Sequence, residues 1–94
     1  MTVSNAERQA LKARAHRLKV THHVGREGSS EAIVAGIRQA FAKTDLIKVR
    51  IRAEETAEVE AIAKSLAGAV PCELVSRTGF VAVLYRELKR QEDK

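Results

Sequence analysis

Residues 46–52, Leu-Ile-Lys-Val-Arg-Ile-Arg, alternate strictly. Ile47, Val49 and Ile51 share one parity and Lys48, Arg50 and Arg52 the other, which predicts a strand with one buried face and one wet, wholly cationic face. Ahead of it, Ile33, Val34, Ile37, Ala40 and Phe41 recur at helical spacing. Ser29 or Ser30 can cap that helix, Glu31 lies in its first turn, and it should end near Lys43. Val59, Ile62, Ala63 and Leu66 give a further helix, starting at Glu55 or Thr56. Gly68 is placed to stop it, and Pro71 breaks the chain.

The flanks complete the pattern. Ser4-Asn5-Ala6-Glu7 has the form of a capping box, so a helix follows, ending near Arg17 or Leu18. Leu11, Ala15 and Leu18 lie on one face of it, with Arg8, Lys12 and His16 stacked beside them at i, i+4 and i+8. Residues 20–24 are short and β-prone. Residues 72–77 and 80–86 read as two strands joined at Thr78-Gly79. The last is apolar on both parities, which predicts a central position. The order α-β-α-β-α-β-β indicates a compact single α/β domain with a mixed four-stranded sheet.

Length and charge sharpen this picture. Ninety-four residues, 45% hydrophobic, supply one modest core. No stretch is long and apolar enough for a membrane span, and the N-terminus lacks a secretory pattern, so a soluble cytoplasmic protein is expected. Net charge is +5, but residues 1–52 hold eleven Lys/Arg against four acids, while residues 53–94 hold six against eight. Such asymmetry suggests one side facing a polyanion, against the alternative of a solvated surface without a partner.

The chemistry of sites is sparse. Cys72 is the single cysteine, so it has no disulfide partner within the chain and is read as a strand hydrophobe. His22 and His23 are adjacent on a strand and point to opposite faces, unsuited to share a metal. No nucleophile-base set is suggested, and neither enzymatic activity nor a cofactor is expected. His16 either meets a nucleic acid or fills the helix-strand junction. With Phe41 and Tyr85 assigned to the core, affinity for a nucleic acid would be directed mostly to phosphates.

Between the first strand and the second helix lies Gly25-Arg26-Glu27-Gly28. Alone this tetrad is weak evidence, because at ordinary glycine frequency a chain of this length holds about 0.4 of them by chance. Its position ahead of a helix matters more. Glycines there permit close backbone approach of a phosphate, the free first-turn amides point toward it, and Arg26 adds a charge. The alternative is a turn that needs glycine for positive φ alone.

The segments "AHRLKVTHHVGREGSSEAIVAGI", "DLIKVRI" and "CELVSRTGFVAVLYR" resemble the CRM (chloroplast RNA splicing and ribosome maturation) domain, in particular the small single-domain bacterial proteins of YhbY type. The resemblance spans Val3 to Arg86, with residues 1–86 as the RNA-binding domain and 87–94 as a charged tail. It implies a fold like the C-terminal domain of bacterial translation initiation factor three. It also implies RNA binding through the glycine loop and basic surface and association with precursors of the large ribosomal subunit; the RNA is expected to be structured ribosomal RNA, and the protein a monomer. The positions it carries over are Gly25, Arg26 and Gly28 of the loop, Arg8, Lys12, His16 and Lys19 on and after the first helix, and Lys48 and Arg50. Val20, Arg14, Ser29 and Phe80 depart from the family pattern, and Phe80, where a basic residue often stands, removes charge from the hairpin end. A protein-binding adaptor is the alternative, with Glu54, Glu55, Glu58 and Glu60 docking a basic ribosomal protein.

Overall fold

The computed structural model describes residues 3–25 and 28–87. Three helices and four strands follow in the expected order: α1 (Asn5–Ala15), β1 (His22–Val24), α2 (Glu31–Ala40), β2 (Leu46–Ile51), α3 (Thr56–Ala69), β3 (Glu73–Thr78) and β4 (Val81–Tyr85). The sheet order is β1-β2-β4-β3. β1 runs parallel to β2, while β4 is antiparallel to both β2 and β3, so the sheet is mixed. The apolar last strand is central.

The two faces of the sheet are covered unequally. Ile47, Val49 and Ile51 pack with Val24, Ala82 and Leu84 beneath Ile37 and Phe41 of the α2 segment and Val59, Ala63 and Leu66 of α3. On the opposite face Leu11 and Ala15 of α1 meet Leu46, Val75 and Val83. Leu46 therefore begins the cationic parity of β2 as a buried residue, because α1 covers that end of the strand. Lys48 and Arg50, two and four positions on, leave this cover in turn: Lys48 is half-buried and Arg50 exposed.

Caps follow the sequence. The Ser4 hydroxyl accepts from the Glu7 amide at 3.2 Å while the Glu7 carboxylate accepts from the Ser4 amide at 2.9 Å. Ser30 caps α2, accepting from the Ile33 amide at 3.4 Å. Several boundaries differ from expectation. α1 closes at Ala15 with His16 as its C-cap, and β1 is confined to three residues. α2 closes at Ala40, before Lys43. Gly68 does not end α3; the helix passes through it to Ala69, and Val70 is the cap. The hairpin loop is Gly79-Phe80, one residue later than expected, since Thr78 still pairs with Val81. Gly79 takes φ +61° there, a conformation that disfavours any side chain.

Among the described residues no helix is long and apolar enough to cross a membrane, and no three His, Cys, Asp or Glu side chains lie together as a metal site would require. His22 and His23 point to opposite faces, as alternation requires. Gly36 of α2 lies against the His22 ring, while His23 is exposed. Cys72 precedes β3, half-buried, and burial pushes its thiol up to about 12.

Candidate nucleic-acid interface

The two glycines of the loop are joined by a backbone hydrogen bond. The Gly28 amide donates to the Gly25 carbonyl at 3.0 Å, and the Ser30 amide donates to the Gly28 carbonyl at 2.9 Å. Gly28 has φ +66° and is buried, with Ile62 of α3 lying 3.8 Å from where a Cβ would stand. Space would admit a methyl group, so backbone conformation is what selects glycine there. Next to it, Ser29 is hydrogen-bonded to Ser65 of α3 at 2.8 Å. The end of the loop is thus anchored against α3 and delivers the chain into the first turn of α2. Arg26 lies outside the described residues.

Two groups stand out among the described cations of the first half of the chain. Three arginines tie the fold together. Arg8 donates to the carbonyls of Leu74 and Val75 at 2.9 and 2.7 Å and pairs with Glu73 at 3.5 Å. Arg14 pairs with Asp45 at 2.7 Å, and this hydrogen-bonded carboxylate raises its already high pKa. Arg38 reaches the carbonyls of Val70 and Ala69 at 2.7 and 3.0 Å, satisfying acceptors that the end of α3 leaves open. Arg8 therefore departs from the stripe it shares with Lys12 and His16 in sequence, and its guanidinium is directed to β3.

The second group borders two adjoining grooves. One, of about 280 Å³, runs between the end of α1 and the sheet, and its walls include Lys12, His16, Lys48, Thr78 and Val81. The other, of about 530 Å³, lies at the carboxyl ends of β1 and β2, where His23, Gly25, Arg50, Arg52 and Phe80 meet. Strand register joins them: Val81 stands opposite Arg50, and Arg50 opposite His23. Lys48 bridges inward, its ammonium donating to the Leu18 carbonyl at 3.3 Å. His16 and Lys19 are exposed. Thus Lys12, His16 and Lys48 line one groove and Gly25 and Arg50 the other, at neighbouring positions of the sheet, with Lys19 on the segment leading from α1 to β1.

Sequence reasoning assigned no role here to His23, Arg52 or Phe80. Arg52 continues the cationic parity of β2 and was legible. The sequence reads His23 only as unsuited to share a metal with His22, and its place beside Arg50 depends on the parallel register. Phe80 depends on where the hairpin turns.

The YhbY-like resemblance noted from the sequence agrees with comparison to known proteins. The chain is 29% identical over 85 residues to an "RNA-binding protein" of Haemophilus influenzae, covering 90% of this chain and 86% of that one. It is 26% identical over 90 residues to "Probable RNA-binding protein YqeI" of Bacillus subtilis, covering 96% and 94%. The solution structure of a Staphylococcus aureus protein superposes with a TM-score of 0.85 at 25% identity, covering 97% and 95% of the two chains. Residues 3–86 match the profile of the CRS1 / YhbY (CRM) domain, and the chain belongs to that family.

Proposed function

We propose that this protein binds structured RNA through the surface formed by the two grooves and the glycine loop, and that its RNA is that of large ribosomal subunit precursors in the cytoplasm. One observation supports the binding: Lys12 and Lys48 line one groove and Arg50 and Arg52 a second at neighbouring strand positions, while Arg8, Arg14 and Arg38 are engaged within the fold. Phosphates would be held by Lys12, Lys48, Arg50 and Arg52, with the amides of the α2 entrance contributing partial positive charge. Similarity to RNA-binding relatives supports the ligand class. The ribosomal role is supported by the resemblance to single-domain bacterial members of the family.

The adaptor reading has less support. Glu60 is engaged by Lys64 at 3.6 Å and Arg77 at 3.3 Å, and Glu58 folds back onto the Glu54 amide at 3.2 Å. These contacts draw part of the acidic row into local structure.

Gradient sedimentation of cell extracts, with and without ribonuclease, tests the proposal. The protein should travel with large-subunit precursors, shift to light fractions after ribonuclease, and do so without ribonuclease when Lys12, Lys48 and Arg50 are reversed to Glu. Migration that ignores those reversals but is lost when Glu54, Glu55 and Glu58 become Lys would establish the adaptor instead.

A further inference from the structure

We propose that the groove at the carboxyl ends of β1 and β2 is a nucleobase pocket, in which Phe80 stacks on one unpaired base of the RNA while Arg50 and Arg52 hold the neighbouring phosphates. This rests on the RNA-binding reading and adds to it a preference that phosphate contacts cannot supply.

The groove is lined by apolar Ala53 and Phe80 and by the strand ends at Val24 and Ile51, together with His23, Arg50 and Arg52. None of its described lining residues is acidic. That mixture of apolar and cationic lining suits a nucleotide, flat and apolar on the base faces and anionic at the phosphate. A perfectly paired helix keeps its base faces covered, so the occupant has to be a bulged, looped or terminal base.

Phe80 is the aromatic side chain available for this. The chain has two Phe and one Tyr; Phe41 is 4% exposed within the core, and Tyr85 packs against the cluster under α1. Phe80 instead sits half-exposed in the two-residue hairpin loop, touching the core on one side. Its position is fixed by the backbone around it. The Ile51 amide donates to the Phe80 carbonyl at 2.8 Å, Arg77 donates to the Gly79 carbonyl at 3.1 Å, and Glu60 holds the same arginine. A loop backbone held this way places Phe80 at the groove before any ligand arrives, so less of it has to be ordered on capture, which lowers the cost.

The experiment compares two RNA hairpins, identical except for one bulged uridine, by equilibrium binding to the full chain. A 4-thiouridine at the bulge serves for photocrosslinking. The wild type should bind the bulged hairpin about five-fold or more tightly than the paired one, and the crosslink should map to Phe80. Phe80→Leu, which keeps an apolar contact with the core but has no ring face, should equalise the two hairpins and leave the salt dependence unchanged. Phe80→Tyr should retain the preference. Thermal unfolding of each variant establishes that it is folded. A wild type that binds both hairpins equally, or a Phe80→Leu variant that keeps the preference and the crosslink position, overturns the pocket while RNA binding stands. Failure to bind either hairpin overturns the RNA-binding reading, and the pocket with it.

Discussion

Arg8 of α1 donates through Nη1 to the backbone carbonyl of Val75 at 2.7 Å. The acceptor lies in the irregular part of β3, where the register against β4 shifts between Leu74 and Ser76. One side chain thereby joins the first helix to the outer strand and satisfies carbonyls on the edge that, among the described residues, no further strand covers. Its neighbours on the helix stripe, Lys12 and His16, serve the groove instead.

Arg8→Ala should therefore act on stability and not on binding. Water screens the Glu73 pair, since the side chains are 31% and 22% exposed, so the two carbonyl bonds account for most of a loss of about 1 kcal/mol. For a domain of this size that corresponds to a melting temperature lower by about 4–8 °C. Calorimetry checks this, and RNA affinity at a temperature where the variant is folded should be nearly that of the wild type.

Arg50→Glu and Lys12→Glu should behave in the opposite way. Both side chains are exposed at the groove, so unfolding should hardly change. RNA affinity should fall, and the slope of log affinity against log salt should flatten by about 0.7 for each single-strand phosphate that the variant no longer neutralises. Titrations at several salt concentrations give the slope directly. Four to six neutralised phosphates in the wild-type complex would give roughly −3 to −4.

Glycine substitutions separate conformational need from available space. Gly28→Ala should destabilise by about 1–2 kcal/mol, because φ +66° disfavours any Cβ even though Ile62 leaves room. Gly68→Ala should stabilise by up to about 1 kcal/mol, since that residue is helical with nothing within 4 Å of the added methyl. Denaturant titration of the two variants should thus move the midpoint in opposite directions.

Cys72 gives a pH dependence. Burial, with Glu73 adding to it, raises the folded thiol pKa to about 12, above its value of about 8.5 in an unfolded chain. The neutral thiol is favoured in the fold, so its contribution is complete below the unfolded pKa and is lost as pH rises toward 12. Stability of the wild type minus that of Cys72→Ala should be flat from pH 6 to about 8 and decline above it. At neutral pH the thiol should react with iodoacetamide more slowly than a free cysteine peptide.

Local chemistry made much of this architecture readable. The Ser4 and Glu7 capping box, the Ser30 cap and the alternation in β2 each depend on neighbours within a few residues, and each is present. The apolar parity of residues 81–85 correctly implied a strand covered on both sides. What escaped the sequence depends on distant packing. Arg8 is one of three residues at equal helical spacing, and only the approach of β3 separates it from Lys12 and His16. Gly68 carries a stop signal, yet Leu66 and Val70 are both fully buried, and their packing draws the helix past it. Phe80 and His23 become neighbours of Arg50 through the hairpin turn and the parallel register, neither of which local pattern fixes.

The placement of β4 has a consequence for the order in which the chain can fold as it is made. β4 is the last strand in sequence, yet it lies between β2 and β3, with Leu46 opposite Tyr85. Until residues 81–85 emerge, β2 has no partner on one side and β3 none on its inner side, and Ile47, Val49 and Val75 have no finished core to enter. The sheet of this protein can be completed only once those five residues are available, and the β3–β4 hairpin then docks on β2 as a unit.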